Sequence, residues 1–370
     1  MRELFPVTRN LIYFNNAAVG PLSVRAHEAM ARHASDQRDY GALHWREWDA
    51  EVARLREAAA TLIGATPAEV SILKNTSEGL SFVAGGLRWE EGDNIVTTAY
   101  EFPSNWAPWK RLEARGVEVR VAATPAADDL ERLIDGRTKL VTLSSVAFHN
   151  GFAADLIAIG ELCERRNALF CVDGIQSVGV LPLDVRAAKI SFFSADGHKW
   201  LCGPEGATIF YVAAEHRDKL EVLEHGWLNV QRKGRFIDCG LELHDDGRRF
   251  EAGSLNTNGI YGLRAAIDLL LEVGIDAIRD RVLTLANRLA DGLAGEGFVI
   301  GSPRPVASGI VGATPPDVES RSTLWYHRKL EEATIVCSPR EGMLRFSPHF
   351  YNDESEVDRV LEVVRFTMKA

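Results

Sequence analysis

Short apolar runs alternate with longer amphipathic stretches through the first two thirds of the chain. The apolar runs predict buried strands at Val70–Leu73, Asp93–Thr98, Val117–Ala122, Lys139–Ser145, Leu169–Asp173 and Ala207–Val212. Apolar residues recur at three- and four-residue spacing over Ser23–Ile63 and Leu156–Asn167, which predicts helices. Alternation of strands and helices predicts an α/β fold, with a mostly parallel sheet covered by helices on both faces.

The last third of the chain has a different pattern. Ile260–Ala294 predicts two long helices with a break at Gly274. Shorter elements follow and predict a small C-terminal α+β domain; they lie at Phe298–Ile300, Ile310–Gly312, Leu324–Glu332, Met343–Ser347 and Glu354–Met368. We therefore expect an N-terminal arm (1–20), a large domain (21–258) and a small domain (259–370).

Lys199 is the first candidate for chemistry. It follows an apolar and aromatic run, Ile190–Phe193, and precedes the Gly203–Pro204 break, which predicts a lysine at the end of a strand. A lysine buried in such a loop loses its proton easily and becomes a nucleophile toward carbonyl carbons. A surface lysine after a strand would show the same local pattern, so this segment alone leaves both interpretations open.

Asp173 adds a second group at the same edge of the predicted sheet. It ends the buried strand Leu169–Asp173, 26 residues before Lys199. The carboxyl ends of parallel strands face the crevice where such sheets bind ligands. A lysine that holds an aldehyde and an aspartate that keeps a pyridine nitrogen protonated are the two groups that pyridoxal phosphate requires.

Several short segments then resemble, in order, the class V aminotransferase family of fold-type I pyridoxal phosphate enzymes. They are Asn15–Ala18, Asn75–Gly79, Glu101–Asn105, Asp173–Gln176, Gly197–Lys199, Phe250–Ser254 and Arg345. The family includes cysteine desulfurases, isopenicillin N epimerase-like proteins and kynureninases, and the resemblance covers nearly the whole chain. It implies the aspartate aminotransferase-like fold, with a large cofactor-binding domain and a smaller C-terminal domain.

The resemblance also implies roles around the cofactor ring. Lys199 would form the Schiff base and then move a proton at the substrate α-carbon, and Asp173 would pair with the ring nitrogen. Gln176 would hydrogen-bond the phenolic oxygen of the cofactor, and Phe102 would stack on its ring.

The cofactor phosphate is expected at the start of the helix after Asn75. Hydroxyl groups and free amides at a helix N-terminus bind anions, so Thr76 and Ser77 are phosphate contacts, joined by His198. Ordinary N-capping by Thr76 or Ser77 would produce the same pattern. In the family, the loop equivalent to Gly253 and Ser254 reaches the phosphate of the neighbouring subunit, which implies a homodimer with its active site at the interface.

The substrate is expected to contact Arg345, Asn16 and Ala18. Arg345 matches the family arginine that holds the substrate α-carboxylate through a bidentate fork. A salt bridge at a strand edge is the alternative for a lone arginine. The small residues of the arm, Ala18 among them, let the backbone approach a ligand closely.

Three positions depart from the pattern of the cysteine desulfurases. Phe102 replaces a stacking histidine, and Asp196 stands where many relatives have a phosphate-binding serine, so we expect the Asp196 carboxylate to point elsewhere. Desulfurases insert a mobile loop with the nucleophilic cysteine before the arginine equivalent to Arg345, but the stretch from Val336 to Arg345 is short here. Cys337 lies only eight residues before Arg345, where a strand is expected, so it is misplaced for that role. We therefore predict that the chain is not an efficient persulfide-forming desulfurase. Cys239 lies in a polar loop that the sequence does not place.

Composition restricts the partners. The 370 residues include 42 basic and 52 acidic side chains, a net charge of −10, which argues against nucleic-acid or membrane-surface binding. Five scattered cysteines without a paired spacing predict reduced thiols, no metal site and a cytoplasmic location. The sequence has neither a signal-peptide core nor a long apolar run.

These observations predict a homodimeric pyridoxal phosphate enzyme acting at the α-carbon of an amino acid, in the epimerase-like and desulfurase-like branch of the family. Transamination and C–S lyase chemistry by β-elimination are the leading reactions, with cysteine desulfuration or epimerisation as alternatives. A function of a different class is that of a non-catalytic, regulatory protein that binds pyridoxal phosphate. The presence of Lys199 and Arg345 argues against it. A dinucleotide-dependent oxidoreductase is disfavoured because no GxGxxG follows an early strand.

Overall fold

The structure is a computed structural model, and it describes residues 1–231, 237 and 240–369. Its helices are α1 (Val24–Tyr40), α2 (Trp45–Ile63), α3 (Thr76–Gly86), α4 (Ala107–Arg111), α5 (Ala127–Glu131), α6 (Leu156–Arg165), α7 (Thr257–Val273), α8 (Ile275–Gly295), α9 (Thr323–Glu332) and α10 (Glu354–Lys369). Its strands are β1 (Ile12–Tyr13), β2 (Val70–Leu73), β3 (Asn94–Thr98), β4 (Glu118–Ala122), β5 (Thr138–Ser144), β6 (Leu169–Asp173), β7 (Phe192–Asp196), β8 (Thr208–Val212), β9 (Val299–Ile300), β10 (Val311–Thr314), β11 (Ile335–Val336), β12 (Ser338–Arg340) and β13 (Met343–Phe346).

A seven-stranded sheet forms the centre of the fold, in the order β2-β8-β7-β6-β5-β3-β4. Only β8 runs against its neighbours, so the predicted α/β fold with a mostly parallel sheet is confirmed. The six predicted strands agree with the observed ones to within one residue. The carboxyl ends of β2, β3, β5, β6 and β7 therefore lie at one edge, which is where parallel sheets bind ligands.

The helical pattern predicted over Ser23–Ile63 is confirmed, and the structure divides this stretch into two helices, α1 and α2. Gly41 ends α1 with a φ of 60°, and α2 begins only at Trp45. A positive φ costs glycine little but other residues much, and it interrupts the helical hydrogen-bond ladder. The apolar periodicity continues on both sides of the turn, so it predicted helical structure without marking the break.

Buried apolar residues form three large clusters and one small cluster in the described part of the chain, and two of the large ones bear on the domain boundary. The first surrounds the seven-stranded sheet and includes Ile260 and Leu263 of α7, which packs against α1 and α2. The second lies between α8, α9, α10 and the four-stranded sheet β12-β13-β10-β9. The boundary at residue 258 stays a prediction, since α7 belongs to the first of these clusters.

The N-terminal arm packs against the C-terminal part of the chain. β1 pairs in parallel with β11, and Asn15 forms an isolated bridge with Ser347. The Asn15–Gly20 segment is thereby held between the C-terminal strands and the lysine loop. None of the described helices is long and apolar enough to cross a lipid bilayer.

Candidate active site

A pocket of about 360 Å³ opens at the carboxyl edge of the large sheet, within the range of small-ligand sites. β6 ends in Asp173 and β7 leads into Lys199, so two strand ends bring these residues into the pocket. The start of α3 supplies Thr76 and Ser77, and the β12–β13 hairpin supplies Arg345. The structure therefore brings together residues from both ends of the chain, from Ala17 to Arg345.

Lys199 is 9% exposed. Burial disfavours the ammonium form and lowers the lysine pKa to about 8, an effect that Asp173 opposes and Arg345 reinforces. Within the described residues, no carboxylate lies within ion-pair distance of Nζ, which instead lies 5.5 Å from the centre of the Phe102 ring. A lysine with this pKa loses its proton at about pH 8, well below the pH at which an ordinary lysine does, which favours a role as nucleophile or general base.

Asp173 is almost completely buried, at 1% exposure. One carboxylate oxygen, Oδ1, accepts a hydrogen bond of 3.0 Å from the Ile175 amide. Burial raises the Asp173 pKa to about 6, partly opposed by the positive charge of Lys199. The fold therefore keeps a carboxylate in a dry environment, where a cationic partner is bound more strongly than in water.

The start of α3 is arranged as an anion site. Asn75 caps the helix by accepting a hydrogen bond of 3.0 Å from the Glu78 amide, so the capping role belongs to Asn75 and not to Thr76 or Ser77. The Thr76 and Ser77 amides precede the first intrahelical hydrogen bond. The Ser77 hydroxyl donates to Ser104 at 2.8 Å, and both hydroxyl groups line the pocket.

Asp196 and His198 lie at the same end of the pocket. The Asp196 amide donates to the Thr76 hydroxyl at 3.0 Å, and its carboxylate accepts from the Gly197 amide at 2.7 Å. Nδ1 of His198 lies 3.1 Å from the other Asp196 oxygen, without the alignment of a hydrogen bond. The Asp196 carboxylate is thus turned toward its own loop and His198, while both residues line the pocket.

Arg345 is 2% exposed and only partly satisfied. Its Nη1 donates to the Phe148 carbonyl at 2.7 Å, but Nε and Nη2 have no hydrogen-bond partner among the described residues. Burial lowers its pKa to about 10. Buried guanidinium groups are normally paired, so two free donors facing a pocket are the pattern of a site that receives an anion.

Gln176 connects the arm to the lysine loop. Its side-chain amide donates to the Ala17 carbonyl at 3.0 Å and accepts from Nε1 of Trp200 at 2.9 Å. One amide hydrogen remains for a ligand, so the expected contact with the cofactor stays a prediction. Ala18 lines the pocket, whereas the Asn16 side chain donates to Ser347 and accepts from Tyr351 outside it.

Gly253 and Ser254 are not in the Lys199 pocket of this chain. They line a separate surface depression, and Ser254 is exposed. Glu251 fixes the start of their loop, because its buried carboxylate accepts from the Ile72 amide at 2.8 Å and pairs with Arg56. Their expected contact with a neighbouring subunit stays a prediction.

Ser104, Phe148 and Arg340 also line the pocket, and sequence reasoning did not select them. Ser104 lies inside the segment Glu101–Asn105, whose sequence pointed only to Phe102. Phe148 packs edge-on against Phe102 with ring centres 5.3 Å apart. Arg340 precedes Arg345 by five residues, and only the pairing of two strands brings both into the pocket.

The cysteines have the burial that their sequence contexts predicted. Cys163, Cys171, Cys202 and Cys337 are free thiols, each no more than 3% exposed. Burial raises the pKa of the Cys337 thiol, which keeps it protonated at neutral pH. Cys239 lies outside the described residues. His149 is buried beside Tyr100 and does not line the pocket.

The residues present fit pyridoxal phosphate. Lys199 is a buried amine with a lowered pKa, and Asp173 is a dry carboxylate in the same pocket. The start of α3 offers free amides and hydroxyl groups to a phosphate, and Arg345 offers unpaired donors to a carboxylate. Burial shifts the pKa values of Lys199 and Asp173, and two donors of Arg345 are unpaired within the described residues. Each of these groups has a counterpart on the cofactor or on an amino acid.

Comparison with known proteins agrees with this arrangement. The family model described as Aminotransferase class-V matches residues 12–360. The chain belongs to the class V aminotransferase family. Its cofactor is pyridoxal phosphate, and it is an enzyme of this family. A probable cysteine desulfurase of Methanothermobacter thermautotrophicus is 33% identical over 307 residues, which are 78% of this chain and 74% of the relative.

Solved structures extend the likeness to nearly the whole chain. The apo cysteine desulfurase of Thermococcus onnurineus has a TM-score of 0.92 and 28% identity, covering 100% of this chain and 97% of that one. The cystine C–S lyase C-DES, in complex with its product cysteine persulfide, has a TM-score of 0.91 and 26% identity over 98% and 99% of the two chains. The expected fold-type I architecture is confirmed.

Proposed function

We propose that this class V aminotransferase is a C–S lyase, which cleaves the Cβ–S bond of a sulfur-containing amino acid by β-elimination. The observation that carries the proposal is the buried Lys199, with its pKa lowered to about 8, beside the unpaired donors of Arg345. The likeness to the cystine C–S lyase C-DES supports the choice of bond. Transamination is the second candidate, because it uses the same lysine and arginine.

The substrate would be held first through its α-carboxylate. Nε and Nη2 of Arg345 are the free donors, and Nη1 stays bound to Phe148, which fixes the plane of the guanidinium group. Asp173 would hold the ring nitrogen of the cofactor in its protonated form. When bound, pyridoxal phosphate withdraws electrons from the substrate α-carbon.

Lys199 would move the proton. Nζ would accept the α-proton, and the electrons of that C–H bond would form the Cα–Cβ double bond as the Cβ–S pair leaves with sulfur. Hydrolysis of the unsaturated product would then give pyruvate and ammonia. Phe102 offers no second titratable group over the ring, which weighs against an epimerase with two opposed bases.

Cysteine desulfuration is disfavoured by the state of Cys337. A desulfurase needs an accessible thiolate, whereas Cys337 is 3% exposed on the approach to β12 and its thiol pKa is raised by burial. The Cys337 carbonyl is also held by Nε2 of His327 at 3.1 Å. These contacts support a structural role for the residue.

The proposal extends to the assembly. We infer a homodimer located in the cytoplasm, in which Ser254 of each chain contacts the phosphate in the other chain. The exposed position of Ser254, outside its own Lys199 pocket, supports this arrangement. The four described thiols, all free, support a reducing compartment.

The test uses the purified enzyme with cofactor and a panel of cysteine, cystine and S-substituted cysteines. Pyruvate and ammonia should form without an added keto acid, and Lys199→Ala should abolish both. Formation of a 2-oxo acid that retains the sulfur, only with an added keto acid and with transfer of the amino group to it, would make the protein a transaminase. Catalytic persulfide on Cys337 or Cys239, lost when that cysteine is replaced by serine, would restore the desulfurase reaction and refute the proposal.

A further inference from the structure

The β12–β13 hairpin carries two arginines on one face. Its antiparallel register pairs Ser338 with Arg345 and Arg340 with Met343. Residues directly opposite each other share a face, and so do residues two apart on a strand. Arg340 is therefore the diagonal neighbour of Arg345, with backbones about 7–8 Å apart in this geometry.

Arg340 lines the Lys199 pocket, yet its charge is not neutralised by the protein. Nη1 donates to the Pro339 carbonyl at 2.9 Å, and no carboxylate pairs with Arg340 among the described residues. The neighbouring carboxylate, Glu341, does not pair with Arg340; its charge instead acts on His149, whose pKa it raises against the effect of burial. Arg340 also lowers the pKa of Arg345, as two neighbouring cations must.

The hairpin carries two arginines without an ion-pair partner among the described residues, whereas one arginine is enough to bind a single carboxylate. The substrate α-carboxylate matches Arg345, and the cofactor phosphate has its own site at the start of α3. Neither accounts for Arg340. Arg340 and Arg345 lie diagonally on one face of the hairpin, where an anion beside them would offset the repulsion between the two charges.

We propose that Arg340 determines specificity by binding an anionic group on the side chain of the substrate. The preferred substrates are then amino acids with a second acidic group beyond the β-carbon, such as S-conjugates of cysteine that carry a carboxylate. This inference rests on the proposed function for the reaction, but the charge recognition can be measured separately.

The first measurement compares two substrates of nearly equal shape, S-carboxymethylcysteine and its amide S-carbamoylmethylcysteine. A charge-assisted hydrogen bond favours the acid by about 10- to 100-fold in kcat/KM. Arg340→Gln should bring the ratio of the two values close to one, and Arg340→Lys should keep part of the preference. Arg340→Glu should instead favour the cationic S-(2-aminoethyl)cysteine. Arg359→Gln, at an exposed arginine of α10, is the matched control and should keep the wild-type ratio.

The second measurement does not need turnover. Glutarate and glutaramate differ only in one terminal group, and calorimetric titration of the cofactor-loaded enzyme gives their affinities. Glutarate should bind about 10-fold or more tightly to the wild type and lose this advantage in Arg340→Gln. Unfolding curves and cofactor absorbance confirm that the variants are folded.

The two measurements separate the possible failures. If no S-conjugate is cleaved but glutarate keeps its advantage, the lyase reaction is wrong and the role of Arg340 stands. If S-conjugates are cleaved with no preference for the acid, and glutarate binds no better than glutaramate, the role of Arg340 is refuted and the lyase reaction stands.

Discussion

Replacing Gly20 by alanine should damage the active site without touching any proposed catalytic side chain. Gly20 is buried, and its amide donates to the His198 carbonyl at 2.7 Å. A Cβ added at Gly20 would lie 2.0 Å from the Lys199 carbonyl oxygen and 3.4 Å from Cα of Cys202. The arm and the lysine loop are therefore in backbone contact, and there is no flexible side chain between them to move aside.

The expected magnitude follows from that distance. Ordinary carbon–oxygen contacts need about 3.4 Å, so the two segments must separate by more than about 1 Å. Overpacking costs about 1–3 kcal/mol and the lost hydrogen bond about 1 kcal/mol, so Gly20→Ala should lower the free energy of unfolding by about 2–4 kcal/mol. A displacement of about 1 Å at Lys199 should also reduce kcat about 100-fold.

Gly136→Ala is the matched control. Gly136 is exposed, has no atom within 4 Å of an added Cβ, and lies outside the pocket, so its replacement should change stability by less than about 0.5 kcal/mol. Urea unfolding of the cofactor-free protein measures the first effect, and turnover after saturation with cofactor measures the second. If Gly20→Ala unfolds with the same midpoint as Gly136→Ala and turns over like the wild type, the close contact does not exist in solution.

Three further predictions concern the pocket. Lys199→Ala should still bind the cofactor through its phosphate but lose the borohydride-reducible bond, and a reducible protein–cofactor bond in this variant would refute the lysine assignment. Arg345→Gln should raise KM about 10- to 100-fold, with a smaller change in kcat, because a charge-assisted fork to the substrate is lost; unchanged steady-state kinetics would contradict the carboxylate role. In cofactor-free protein, the Lys199 pKa of about 8 lies below its ordinary 10.5, so between these values the unfolded chain holds a proton that the folded chain has lost. The free energy of unfolding should therefore rise from pH 8 to 10.5 by about 3 kcal/mol more than in Lys199→Met, as urea titrations at several pH values would reveal.

The sequence predicted best what depends on neighbouring residues. The strand that ends at Asp173 is correct to the residue, because a continuous apolar run followed by Asp-Gly marks both its burial and its end. The position of Lys199 shortly after β7 was also predicted, because the apolar run Ile190–Phe193 marks that strand. The break in the predicted helix at Gly41 was missed, since the apolar periodicity continues on both sides of it.

Features that depend on distant pairing were not predictable from a single sequence. The pairing of β1 with β11 joins residues 323 positions apart, Ile12 and Ile335, and neither two-residue strand has a pattern of its own. Arg340 belongs to the pocket only through the register of β12 against β13. The proposed contact of Ser254 with a second chain depends on an assembly that a single chain does not contain.

The docked arm also sets when the protein can mature during synthesis. β1 can pair only after β11, near residue 335, has been synthesised. Gly20 can bind the His198 carbonyl in the lysine loop only when the arm also lies against Ser347. A chain emerging from the ribosome N-terminus first can assemble the large sheet early, but not the finished pocket. Cofactor capture should accordingly be completed only after the segment that contains Ile335 and Ser347 has been synthesised.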